Sequence, residues 1–104
     1  MKGYKEFYFT ASVANKTEVE LGTFSVTAGT WLFIGHLDWN THQDCVYNFN
    51  MCQRIVRGNG SSGGGIINAY MIKTTSTQTY SVKGYHNGSA TMTARCRVYA
   101  IKLG

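Results

Sequence analysis

From Phe7 onward the chain alternates, with Phe7, Phe9, Ala11 and Val13 on one parity and Tyr8, Thr10 and Ser12 on the other. This two-residue period predicts a half-buried β-strand, because successive strand side chains point to opposite faces. A turn is expected at Ala14-Asn15-Lys16. Val19 and Leu21 then alternate with Glu18 and Glu20, but beyond Gly22 the apolar parity moves to Phe24 and Val26. An uncompensated slip would turn every later side chain to the wrong face, so the shift predicts a β-bulge or bend at Gly22-Thr23. After a short turn at Thr27-Ala28-Gly29-Thr30, the run from Trp31 to Trp39 begins apolar on both parities, as in a strand covered on two sides.

A polar loop is expected from Asn40 to Asp44. Tyr47, Phe49 and Met51 then alternate with Val46, Asn48 and Asn50, giving one aromatic face and one face of amides. The strand is expected to run on through Arg54-Ile55-Val56-Arg57 into the Gly/Ser run from Gly58 to Gly65, read as a flexible loop. Ile66 to Thr74 and Gln78 to His86 read as further strands, with a turn at Ser76-Thr77. Asn87-Gly88 is the strongest hairpin signal, since both central residues of a type I′ turn need positive φ. In the last strand Met92, Ala94, Cys96, Val98 and Ala100 share one face while Thr93, Arg95, Arg97 and Tyr99 share the other. Nowhere do apolar residues recur at helical spacing over three turns. Seven or eight short strands, spaced at about ten residues, predict an all-β sandwich, jelly roll or small barrel.

Length and charge narrow this picture. The 104 residues fit one domain, divided into a lead-in at 1–6 and a folded domain at 7–104. Twelve Gly and no Pro suit a chain of many paired strands. Ten Lys and Arg against five Asp and Glu give a net charge of +5, which favours anionic partners. The basic residues are scattered singly or in pairs, however, so no stretch reads as a nucleic-acid-binding arm. Cys45, Cys52 and Cys96 are odd in number and lack zinc-site spacing, so they are read as reduced thiols. No apolar run has the form of a signal peptide or the length of a membrane span, and no membrane partner is expected.

Three groups of residues carry candidate chemistry. His36, Asp38, His42 and Asp44 are four nitrogen or oxygen donors within nine residues, a set a metal ion could gather; the competing reading is a polar strand end. Trp39, Asn40, His42, Tyr47, Asn48 and Asn50, with Tyr85, His86 and Asn87 as a second patch, combine rings that stack on sugars with amides that satisfy hydroxyls. Packing is the alternative role for Trp39 and Tyr47. Lys83, Arg95 and Arg97 form either a basic stripe on adjacent strands or cross-strand charge pairs. Cys45 or Cys52 with His42 matches no nucleophile signature, the carboxylates form no acid/base pair, and the Gly-rich run lacks the Lys-Ser/Thr of a phosphate loop. No enzyme and no cofactor are expected.

The run Val19-Glu20-Leu21-Gly22-Thr23-Phe24-Ser25-Val26-Thr27-Ala28-Gly29-Thr30-Trp31-Leu32-Phe33 resembles a segment of the tumour-necrosis-factor-like and complement globular-head-like jelly rolls. That segment is a strand, a short Ala-Gly turn and an aromatic strand. The closing run Ala94-Arg95-Cys96-Arg97-Val98-Tyr99-Ala100-Ile101-Lys102-Leu103 is similar to the terminal strand of such domains. The resemblance implies an all-β, two-sheet antiparallel jelly-roll sandwich that forms a homotrimer, as in bacteriophage fibre heads. It also implies a virion location on a fibre or capsid surface, after synthesis in the host cytoplasm. The expected function is therefore non-enzymatic binding of a host-surface glycan or protein. A structural trimerisation or capsid-decoration module is one alternative. The other is a small basic β-barrel that binds single-stranded nucleic acid on Phe7, Phe9, Tyr47 and Phe49, although nucleic acid is not the expected partner. Seven Tyr, five Phe and two Trp exceed what a small core hides, so the chain is expected to be one third of a shared core.

Overall fold

The alternating parities become two layers. The structure, a computed structural model, describes residues 3–41, 43–60 and 65–104. Its strands are β1 (Gly3–Val13), β2 (Val19–Val26), β3 (Gly29–Trp39), β4 (Cys45–Met51), β5 (Arg54–Gly60), β6 (Ile66–Thr74), β7 (Gln78–His86) and β8 (Met92–Lys102). They form two antiparallel four-stranded sheets, sheet A in the order β1-β8-β3-β6 and sheet B in the order β2-β7-β4-β5. Only the β4–β5 connection joins two strands of one sheet; every other connection crosses to the opposite layer. Among the described residues there is no helix, and the two sheets do not close into a barrel.

The core lies between the sheets and is built from the inward parity of each strand. Trp31, Phe33, Leu37 and Trp39 of β3 and Ala94, Cys96, Val98 and Ala100 of β8 face Phe24, Tyr47, Phe49, Met51 and Val82 of sheet B, all of them buried. Small residues on β8 leave room for the rings opposite. Gly35, at the middle of β3, does so most directly: a Cβ there would lie 2.6 Å from Phe49 Cζ and 2.8 Å from Met51 Sδ. Phe24 meets Phe33 edge-on at 5.0 Å and Phe7 at 5.1 Å, while Trp39 meets Tyr47 at 5.6 Å and His86 edge-on at 5.4 Å. Asn68, 3% exposed, donates from Nδ2 to the carbonyl oxygens of Phe49 at 3.2 Å and Arg54 at 2.8 Å, tying β6 to the β4–β5 hairpin.

Several sequence expectations change. The bulge falls at Leu21, one residue before Gly22-Thr23: Glu20 pairs with Lys83 and Gly22 with Val82, so Leu21 and Gly22 both turn inward. The strand expected to run from Tyr47 through Arg57 is instead a hairpin, with β4 and β5 paired from Cys45–Gly60 to Met51–Arg54 around Cys52-Gln53. Both turn residues have positive φ, 55° and 65°, the backbone of a type I′ turn without its usual Asn-Gly. Asn87-Gly88, by contrast, is no hairpin, because β7 and β8 lie in different sheets and neither residue has positive φ. Residues 3–6 of the expected lead-in belong to β1 and pair with Tyr99 to Lys102, and residues 1–2 lie outside the described residues. Gly58, Asn59 and Gly60 complete β5 and Gly65 is a turn residue before β6; residues 61–64 of the expected Gly/Ser loop lie outside the described residues.

The core is complete within one chain. An isolated 11.5 kDa protein is expected to expose about 5,800 Å², and this chain exposes 5460 Å².

Two substitutions test this packing by urea unfolding. Gly35→Val is expected to destabilise by about 1–3 kcal/mol, partly relieved by a second Phe49→Leu change, because the added methyls enter the space of that ring. Equal and additive losses would show that the ring and the glycine do not compete. Gln53→Gly is expected to stabilise by up to about 1 kcal/mol by relieving a left-handed non-glycine residue; a loss of stability would contradict the turn assignment.

Candidate functional site

The residues singled out in the sequence separate into three environments. Trp39, Tyr47 and His86 stand on inward parities and are at most 1% exposed, so their rings serve packing and offer no face to a sugar. His86 Nε2 lies 2.8 Å from Val13 O and its Nδ1 accepts from the Gly88 N–H at 3.1 Å, which sets the Nε2–H tautomer. The Tyr47 hydroxyl donates to Gln43 O at 2.9 Å and accepts from the Gln43 N–H at 2.6 Å. Asn40 and Asn87 are exposed, but each uses its side-chain oxygen to prolong a strand ladder. Asn40 Oδ1 accepts from the Thr93 N–H at 2.8 Å, and Asn87 Oδ1 from the Val46 N–H at 2.7 Å. Short amide side chains satisfy backbone donors at strand ends in this way.

Asn48, Asn50 and Tyr85 remain together on the outer face of sheet B. Asn48 pairs with Tyr85 on one side and Arg57 on the other; Asn50 sits between Lys83 and Ile55. Thr23, Ser25, Thr79 and Ser81 continue this face along β2 and β7, and Ser25 Oγ meets Thr79 Oγ1 at 2.7 Å. It is a face of amides and hydroxyls that also carries Arg57, Lys83 with Glu20 beside it, and the half-exposed Ile55. The buried Oδ1 of Asn48 has no hydrogen-bond partner among the described residues.

The outer face of sheet A is different. Its register sets Tyr4, Ile101, Leu32 and Met71 in one row across all four strands. The next rows are Glu6, Tyr99, Ile34, Ala69 and then Tyr8, Arg97, His36, Ile67, with Thr10, Arg95 and Asp38 beyond. The face thus grades from wholly apolar to charged. Tyr4 is 51% and Met71 58% exposed, and Tyr4 stacks on Tyr99 at 6.2 Å. Two of its cations are paired within the chain, Arg95 with Asp38 at 3.4 Å and Arg97 with Glu6 at 3.3 Å, while Lys73 stands beside Thr30 at the other end of the face. Sequence reading could have found the apolar row only by pairing strands distant in the chain.

The basic stripe dissolves in this arrangement. Lys83 lies on sheet B, 4.0 Å from Glu18, while Arg95 and Arg97 lie on sheet A, so charge pairing explains all three. The metal set is not assembled among the described residues: no three His, Cys, Asp or Glu side chains come together, and Asp38 faces Arg95. Asp44 is exposed in the β3–β4 connection, and His42 lies outside the described residues, as does its proposed pairing with Cys45 or Cys52. Phe7, Phe9, Tyr47 and Phe49 all face inward and form no stacking platform on the surface.

All three cysteines are free thiols. Burial pushes the Cys52 and Cys96 thiols up to about 12 from an ordinary 9.0. A thiol raised in this way contributes stability that is complete below about pH 9 and is lost as pH rises toward 12, because only the unfolded chain ionises freely in that window. At pH 8, iodoacetamide is expected to modify Cys52 and Cys96 far more slowly in the folded protein than in the denatured one, read by mass spectrometry. Prompt labelling of Cys96 in the folded state would contradict its burial.

No protein-family model matches the chain. No curated protein matches it either. Among solved structures it is similar to a de novo designed double-stranded β-helix determined by solution NMR, at 15% identity, over 88% of this chain and 97% of that one, with a TM-score of 0.45.

Proposed function

We propose that the chain is a non-enzymatic binding head of jelly-roll topology that associates as a homotrimer and recognises a host-surface glycan or protein. Strand alternation between two four-stranded sheets supports the jelly-roll reading. The setting, a virion fibre, comes from the resemblance of residues 19–33 and 94–103 to such heads.

The observation that carries the proposal is the row Tyr4, Ile101, Leu32 and Met71, apolar across the full width of sheet A. A free-standing core leaves no internal reason for this row to face outward, and contiguous exposed apolar patches mark interaction sites. Self-association would cover it. The amide and hydroxyl face of sheet B is then left free for a receptor, with Asn48, Asn50 and Tyr85 as its contacts. Amides and a tyrosine suit a saccharide, because hydroxyl pairs and a ring face are what a sugar presents.

Sedimentation of the purified chain at micromolar concentration is expected to give a trimer, and Tyr4→Glu combined with Met71→Glu is expected to give a folded monomer. Neither residue is in the core, so circular dichroism should be unchanged. A wild-type monomer would refute self-association. On a glycan array or in host-cell adsorption, Asn50→Ala and Tyr85→Ala are expected to weaken binding at least severalfold; full retention by both would move the receptor site elsewhere.

A further inference from the structure

Sheet B is four strands wide at one end and two strands wide at the other. β4 pairs with β7 only from Tyr47–His86 to Met51–Val82 before it turns back at Cys52-Gln53, whereas β2 follows β7 down to Gln78. Beside Gln78, Thr79 and Tyr80 the third-strand position is therefore held by no strand of the described residues.

The backbone shows which groups face this gap. The Cys52 N–H donates to Ser81 O at 3.1 Å and the Asn87 N–H donates to Val46 O at 3.1 Å, so the odd-numbered residues of this segment turn their polar groups toward β4. Strand periodicity extends this to Thr79, whose N–H and C=O point into the gap.

A cleft of about 680 Å³ occupies this position. Tyr70, Ile72 and Tyr80 enter it from the inward parities of β6 and β7, and Thr79, Ser81 and Lys73 from the outward ones. Tyr80 is held from behind by Phe33 at 5.4 Å and Phe24 at 5.8 Å. No carboxylate lines the cleft among the described residues, while Lys73 does, and the Arg54 guanidinium lies 4.8 Å over the Tyr70 ring. The site thus has a strand edge, an aromatic interior and an uncompensated positive rim.

We propose that this cleft takes an extended peptide from a partner protein, about four residues long, which pairs with Thr79 and completes sheet B. One apolar side chain enters between Tyr70 and Tyr80, and acidic residues flank it toward Lys73 and Arg54. Strand addition takes its affinity from main-chain hydrogen bonds and its selectivity from alternate side chains, and this cleft supplies both. The cleft borders both outer faces, taking Thr79 and Ser81 from that of sheet B and Met71 from the apolar row of sheet A, while its interior of Tyr70 and Tyr80 belongs to neither.

The experiment uses the full chain with pools of fluorescent hexapeptides, randomised one position at a time, read by anisotropy and by amide hydrogen exchange. Pools with acidic flanks around an apolar centre are expected to bind and to slow exchange of the Thr79 amide at least about tenfold. Thr79→Pro removes an N–H that β2 does not use and is expected to abolish binding, whereas Thr79→Val retains it. Lys73→Glu is expected to weaken binding about tenfold at low salt. Should Thr79→Pro fail to fold by circular dichroism, Lys73→Glu and the exchange readout still decide. The proposal is overturned if no pool slows exchange at Thr79, or if Thr79→Pro binds as well as wild type. It is also overturned if the amide is slowed by a panel of mono- and disaccharides but not by peptides, or if it becomes protected with rising protein concentration alone, which would assign the gap to a second copy.

Discussion

The seating of rings from one sheet onto glycines and small residues of the other is the contact on which the remainder of the molecule depends. Phe49 occupies the space a side chain would take at Gly35, Phe9 lies over Gly22, and Trp39 approaches Gly84, where a Cβ would sit 3.3 Å from its ring. These contacts cross the sandwich in both directions, from sheet B onto A and from A onto B. Close-packed interiors transmit a misfit of even one methylene. The spacing of the layers is thus set by ring thickness at a few points, and the alternation of every strand follows from having one side against that layer.

A core closed within one chain changes what the outer faces can mean. Aromatic abundance need not signal a divided interior, because Trp31, Trp39, Phe33, Phe49 and Tyr47 are all buried by the same chain. What remains outside is sorted by sheet. Sheet A carries the apolar row and the ion pairs, and sheet B the amides and hydroxyls. Exposed pairs such as Arg97 with Glu6 are screened by water and add little to stability, so their role is to keep a partly apolar face soluble and to limit which surfaces can stack on it.

Strand parity was legible in the sequence because burial on one face imposes a strict period, and β1, β3 and β8 carry it without interruption. The bulge was legible to within a residue for the same reason: Leu21 and Phe24 cannot both face inward on an unbroken strand. Turns were less so. Asn87-Gly88 has the chemistry of a hairpin but stands where the chain changes sheets, and Cys52-Gln53 makes the tight turn without any residue that favours positive φ. Tertiary pairing of β4 with β5 overrides local preference there. The candidate site suffered from a related gap. Trp39, Tyr47 and His86 share a stretch with Asn40, Asn48 and Asn87, but their opposite parities send the rings inward. Only Asn48, Asn50 and Tyr85 share a face, and that juxtaposition depends on β4 lying beside β7, which no short-range pattern reveals.

The strand order also bears on how the chain is made. β8 lies between β1 and β3, so three strands of sheet A have no common ladder until β8 has been synthesised. Sheet B meets a similar delay, since β7 is the strand that joins β2 to β4. A nascent chain therefore emerges with β1 and β2 unpaired, and the β4–β5 hairpin and the β3–β6 ladder are the pairings that need neither β7 nor β8. Folding of this kind is late, concerted and slow to nucleate. The interval before β8 appears is when the chain is most exposed to pairing with its neighbours on the ribosome.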